Sequence, residues 1–125
     1  MGISRTFIAL ALAVTAGAES FDIAVPAPPS TVTIDGREWL IYELHLTNFS
    51  REPLRVTRVE VLAGGADALQ SFAGGDLTQR MTIAAAARTD VQTVHPGERA
   101  IIYLEVLANA SSPPRVLRHR VRYAT

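Results

Sequence analysis

Cysteine is missing from this 125-residue chain, and so is lysine. Without cysteine no disulfide can staple the fold, no thiolate can ligate a metal, and no lipid anchor can be attached at a cysteine behind a leader. Twelve arginines face twelve acidic residues, so the formal charge is zero. No net field then steers the chain toward nucleic acid or an acidic membrane. Using arginine alone fits a GC-rich bacterial genome. Beyond the first twenty or so residues no run is long and apolar enough to span a bilayer, which takes about 20 residues. Internal repeats and low-complexity linkers are absent. At 48% hydrophobic and 19% charged residues, the composition is that of one globular domain rather than a disordered chain.

The N-terminus is organised differently. A short positive segment, MGISR, precedes the apolar TFIALALAVTAGA, and Ala16-Gly17-Ala18 forms a small-residue cleavage pattern before Glu19. This is the layout of a secretory signal peptide. The expectation is a signal peptide over residues 1–18 and a mature domain over 19–125, exported to the periplasm or secreted, with no stable membrane insertion once the leader is cut. An uncleaved anchor is the alternative.

The mature part reads as strands. FDIAV (21–25) is a short one, PAPPS (26–30) is stiff and extended, and TVTIDG (31–36) is a second strand closing on an Asp-Gly turn. In EWLIYELHLTNFS (38–50), Leu40, Tyr42, Leu44 and Leu46 recur at period two on one side. Glu43, His45 and Thr47 take the other side, which Trp39, Ile41 and Phe49 make partly apolar. LRVTRVEVLAG (54–64) changes parity between Val56 and Val59, which predicts a bulge near Thr57–Arg58. The turn SREP between these two stretches predicts a hairpin. Further strands are expected at 69–72, 99–109 and 115–124, a turn at HPGE (95–98), and a single helical turn capped by Asp76 and running to Met81. TIAAAART (82–89) reads as loop. About seven strands separated by turn signals imply an all-β, Ig-like antiparallel β-sandwich.

Reactive chemistry is hard to find in this pattern. The histidines, His45, His95 and His119, form no His-x-His pair and no H-E-x-x-H. His119 is expected on an inner face as a hydrogen-bonded, semi-buried residue. Ser50, Ser71, Ser111 and Ser112 lie outside any G-x-S-x-G elbow. The pairs Glu38/Glu43 and Glu60/Glu105 could meet across strands, an unspecific signal for acid–base work. Gly64-Gly65 and Gly74-Gly75 lack the helix and the Lys-Ser/Thr of a phosphate loop. Asn48-Phe49-Ser50 and Asn109-Ala110-Ser111 match the glycosylation acceptor pattern, as short chance matches do. No catalytic residue, metal site or cofactor site is expected. The candidate partner-binding residues are Arg118, Arg120 and Arg122, which alternate on the last strand opposite Leu117, Val121 and Tyr123. Either acids on a neighbouring strand such as Glu43 or Glu60 neutralise this stripe, or it docks an acidic partner.

VPAPPSTVTIDGREWLIYELHLTNFSREPLRVTRVEVLAG, followed by HPGERAIIYLEVLANASSPPRVLRHRV, resembles the β-sandwich domain that precedes the catalytic domain in secreted bacterial peptidases of the M23 (LytM-like) type. The resemblance covers nearly all of the mature chain. It rests on the proline-rich start, on YELHLTNF with EPL and VEVL, and on PGERAIIYLEV with its terminal RHRV. Peptidases of that type cut cell-wall crosslinks with zinc held by His-x-x-x-Asp and His-x-His motifs. Neither motif is present here, so no catalytic residue carries over. The resemblance implies a non-catalytic domain, standing alone or left by truncation of a longer gene. The expected function is an exported accessory or interaction module around cell-wall metabolism. Its expected partner is a cell-wall peptidase, another exported protein or the carboxylates of wall peptides. The alternative is an exported inhibitor or chaperone-like protein that binds its partner by strand addition.

Overall fold

A strand with one apolar face must cover that face, and two sheets packed face to face cover each other. A computed structural model describes residues 20–64, 68–108 and 116–125, together with the backbone of 2–7. The expected cleavage site at Ala16-Gly17-Ala18, the acceptor pattern at Asn109 and the serines Ser111 and Ser112 lie outside the described residues.

Ten strands and one short helix occur among the described residues. In chain order they are β1 (Gly2–Phe7), β2 (Phe21–Ala24), β3 (Ser30–Ile34), β4 (Arg37–Asn48), β5 (Leu54–Leu62), β6 (Ala68–Ala73), α1 (Gly74–Thr78), β7 (Met81–Ile83), β8 (Thr93–Val94), β9 (Arg99–Leu107) and β10 (Leu117–Ala124). One sheet runs β1-β10-β5-β6, with β8 also paired to β5; the other runs β2-β4-β9-β7, with β3 also paired to β4. Every pairing is antiparallel. The fold is the all-β sandwich that the alternation implies. The strands beyond the expected seven are β1, within the stretch expected to be a leader, and the two very short ones, β7 and β8.

The core fills the space between the sheets. Tyr42, Leu44 and Leu46 of β4 face Val56, Val59 and Val61 of β5, with Ile102, Leu104 and Val106 of β9 and Leu117, Val121 and Tyr123 of β10, all buried. Each such side chain contributes about 1.5–3 kcal/mol relative to remaining exposed. The bulge falls where the parity change put it. Arg122 pairs with Arg58 but Tyr123 pairs with Val56, leaving Thr57 as the extra residue. The Thr57 hydroxyl donates to the Arg122 carbonyl at 3.1 Å, so the bulge is held by its own side chain. The Asp-Gly turn after β3 is also as expected. Asp35 and Gly36 have φ of 51° and 75°, the left-handed pair that a tight two-residue hairpin demands.

The expected hairpin across SREP does not form. β4 belongs to one sheet and β5 to the other, so residues 49–53 carry the chain across the sandwich. Alternation assigns each strand a buried face but leaves its neighbour open, and the corner is set by a side chain instead. Asn48 is fully buried. Its amide nitrogen donates to the carbonyls of Glu52 and Val94, both at 2.8 Å. Its Oδ1 accepts from the Ser50 backbone N–H at 2.8 Å and from the Ser50 hydroxyl at 2.7 Å. Every polar atom of that amide is satisfied, which is what permits its burial. The same burial removes Asn48 as a glycan acceptor in the folded protein.

Asp76 does not cap a helix reaching Met81. The N-cap position is Ala73, without a side-chain bond, and Asp76 sits inside the short α1, paired with Arg80 at 3.2 Å. Met81 instead begins β7, which pairs with β9. Part of the stretch read as loop is therefore strand, because Met81 and Ile83 bury against the core despite the alanines that follow.

Candidate functional site

β10 delivers its side chains to two environments at period two. Leu117, His119, Val121 and Tyr123 point into the sandwich and are buried, while Arg118 and Arg122 are exposed and Arg120 half-buried on the outer face. The neighbouring β5 adds Arg55 and Arg58, both exposed, to the same sheet. Glu60 lies opposite Arg120 in the register. Its carboxylate is 3.1 Å from Arg122 Nε and 3.8 Å from Arg120 Nη1. Arg58 donates to the Ser71 hydroxyl at 2.7 Å, and Arg55 to the Gln92 side-chain oxygen at 3.1 Å; both are neutral partners. Among the described residues Arg118 makes no ion pair. One carboxylate thus serves two of the three β10 guanidinium groups. Glu43, the other acid expected to neutralise the stripe, lies on β4 in the opposite sheet and bonds His45 at 2.9 Å.

The three histidines are brought nowhere near one another in role. His119 of β10 is buried to 1% exposure and meets Tyr42 of β4 across the core, with Tyr42 Oη and His119 Nε2 2.6 Å apart. Burial pushes the imidazole down to about 4 and pushes the phenol upward. Both groups are therefore neutral at pH 7, and a hydrogen bond between two neutral groups joins the tyrosine oxygen to Nε2. The rings stand edge to face with centroids 5.5 Å apart. This pair joins the two sheets and has no access to a substrate. His45 bonds Glu43 on the outer face, and the His95 backbone N–H donates to Glu98 Oε1 at 2.8 Å. Burial raises the Glu98 carboxyl, and the His95 N–H with the Arg88 guanidinium outweighs it, holding the group below its ordinary value.

Other candidate chemistry disperses in the same way. Glu60 and Glu105 sit in different sheets, and Glu38 and Glu43 stand opposite Thr33 and Tyr103. The Ser50 and Ser71 hydroxyls bond Asn48 and Arg58 rather than a histidine. No group of three or more His, Asp or Glu among the described residues is placed to hold a metal ion. No helix among them is long and apolar enough to cross a membrane.

The outer face of the β4 sheet carries a feature that alternation hid. Ile41, Glu43, Tyr103 and Glu105 form a groove with Pro26, Ala27 and Pro28, about 410 Å³ in volume. Its carboxylates already have partners, since Glu105 pairs with the Arg80 guanidinium at 3.0 Å and Glu43 hydrogen-bonds the His45 imidazole at 2.9 Å. The signal available in the sequence was the apolar content of the wetter side of β4, read only as a partly apolar face.

Comparison with protein-family models, with curated proteins and with solved structures gives no match. The functional reading therefore stands on the residues and their geometry.

Proposed function

We propose that the exported chain is a non-catalytic, Ig-like interaction module, and that Arg118, Arg120 and Arg122 form the face that docks an acidic partner. The observation that carries this reading is the charge balance on the face: Arg120 and Arg122 share the single carboxylate of Glu60, and Arg118 has no ion pair among the described residues. Like charges that solvent alone separates contribute little to folding, and they are available to a carboxylate-bearing surface. Arginine suits that role because its planar fork grips a carboxylate through two donors. The resemblance to the sandwich domain of M23-type peptidases supports a partner in cell-wall metabolism, with a peptidase domain as the favoured example.

The test replaces all three arginines by glutamine and compares capture of proteins from a periplasmic extract at about 50 and 300 mM salt, where screening of exposed charges differs strongly. The wild-type protein is expected to retain acidic proteins at low salt and release them at high salt. The triple variant is expected to retain far less at either salt, with its melting temperature nearly unchanged. A lowered melting temperature with binding intact makes the stripe structural and ends the reading.

A further inference from the structure

β10 has two neighbours of different standing. On one side lies β5, which contributes Leu54, Val56, Val59 and Val61 to the core. On the other lies β1, paired through six consecutive positions from Gly2↔Arg122 to Phe7↔Leu117, and β1 belongs to the leader expected to be cut after Ala18. Loss of the leader turns β10 into an edge strand of eight residues. The other strands at the margins of the two sheets are shorter: β6 has six residues, β3 five, β2 four and β7 three. β10 contains no proline. The β1-facing register runs without a shift, because the irregularity lies on the β5 side. A long, regular edge with unpaired N–H and C=O groups is a template for another strand.

We propose that in the processed protein this edge receives, antiparallel as β1 does, an extended segment of a partner protein in which apolar residues alternate with aspartate or glutamate. The proposal rests on the reading of Arg118, Arg120 and Arg122 as a docking face and names the chemistry of what docks there. Apolar positions of the incoming strand extend the layer of Leu117, His119, Val121 and Tyr123. Its acidic positions lie across from the arginines, where opposite charges on facing strands attract. Arg118, without an ion pair among the described residues, and Arg120, at 3.8 Å from Glu60, are the cations least compensated now. The leader supplies backbone but no such countercharge: Thr6, Ser4 and Gly2 are the residues in register with Arg118, Arg120 and Arg122. A second copy of the chain fits worse still. Antiparallel pairing of β10 with itself, apolar face kept inward, sets Arg120 against Arg120 and Arg118 against Arg122, like charges directly opposed.

The experiment uses the protein recovered from the exporting compartment, its N-terminus verified by intact mass, beside the uncleaved chain. The probe is a fluorescent ten-residue peptide alternating valine or threonine with glutamate. A second probe carries N-methyl groups on alternate backbone nitrogens, and a third has glutamine for glutamate. Processed protein is expected to bind the first probe. It is expected to bind the methylated probe at least about tenfold more weakly, since several main-chain hydrogen bonds are lost at once. The glutamine probe is expected to bind more weakly and with little salt dependence, and the uncleaved chain to bind the first probe at least about tenfold more weakly than the processed one. Equal binding of the methylated probe overturns strand addition while leaving the arginine face standing. Glutamine and glutamate probes binding equally, with the methylated probe still excluded, overturns the acidic partner and the arginine reading together. A processed protein that sediments as a dimer and excludes every probe makes a second copy the occupant. Failure of the monomeric processed protein to bind any probe also overturns the proposal.

Discussion

On the outer face of the β5 sheet, Arg120 and Arg122 share Glu60 and Arg118 has no ion pair among the described residues, whereas on the outer face of the β4 sheet each groove carboxylate has its own close partner, Glu43 the His45 imidazole and Glu105 the Arg80 guanidinium. The β4 face is also the more apolar, with Val32, Ile41, Tyr103 and Leu107 exposed. The chain is neutral as a whole, so the contrast comes from placement rather than composition. A face whose charged groups already have close partners has little left to offer a charged partner. One whose cations outnumber its anions attracts carboxylates at long range and can hold them at short range. The difference between the two faces is thus one of residual valence.

The comparison depends first on which residues of β4 point outward. Leu44 is fully buried and pairs with Ile102 on β9, while Glu43 points to the groove. Leu44→Asp buries an unpaired carboxylate and is expected to cost roughly 3 kcal/mol or more, against less than about 0.5 for Glu43→Gln. Urea melts giving the two variants equal stability would exchange the inner and outer faces of β4 and dissolve the contrast.

Behind the two faces a buried polar contact joins the sheets, Tyr42 of β4 to His119 of β10. His119 ionises only at about 4 in the fold, against 6.5 when free, because burial disfavours the cation. As pH falls below about 6.5 the unfolded chain takes up this proton before the folded one does. Stability supplied by the neutral imidazole is therefore complete above that pH, drains away down to about pH 4, and changes no further below it. At 1.36 kcal/mol per pH unit the loss is about 3 kcal/mol. His119→Gln keeps a hydrogen-bonding partner for the tyrosine hydroxyl but cannot titrate. Its stability is expected to stay nearly flat over that interval, and then to fall at lower pH as the wild type does when carboxylates such as Glu98, held below its ordinary value, are protonated. A wild-type protein equally stable at pH 7 and pH 4.5 would remove the buried neutral histidine from the account.

Period-two alternation made one layer of this molecule legible and left another closed. It placed Tyr42, Leu44, Leu46, His119 and the β10 arginines on their observed sides, and the parity change between Val56 and Val59 located the bulge. Those features depend on where a side chain goes relative to its own strand. The partner of each strand depends on contacts distant in sequence, so the β4–β5 corner read as a hairpin and Glu43 as a neighbour of the stripe. The arrangement that sends β5 to the other sheet is the Asn48 hub, whose bond to the Val94 carbonyl spans 46 positions. β7 and β8 escaped notice because three and two residues are too few to show a period. The arginine face was therefore legible as a stripe, while its sharing of Glu60 and its edge against β1 required the fold.

The smallest expected effect separates the faces most directly. Glu60 is the carboxylate that Arg120 and Arg122 share, and its side chain is 15% exposed. Glu60→Gln leaves those guanidinium groups, with Arg58 across from Arg122 in the register, repelling one another with no anion between them. Glu105→Gln on the opposite face leaves Arg80 with Asp76 at 3.2 Å and with the Phe72 ring 4.7 Å beneath its guanidinium. The first substitution is expected to cost roughly 0.5–1 kcal/mol at low salt, shrinking by about half or more at 300 mM as repulsion is screened. The second is expected to change stability by less than about 0.3 kcal/mol at either salt, since an exposed pair with a substitute partner contributes little. Chemical denaturation with urea, which adds no ions of its own, measures both at the two salt concentrations. Equal and salt-independent costs would mean that Glu60 is held by packing rather than by charge, and that the β5 face has no more residual valence than the β4 face.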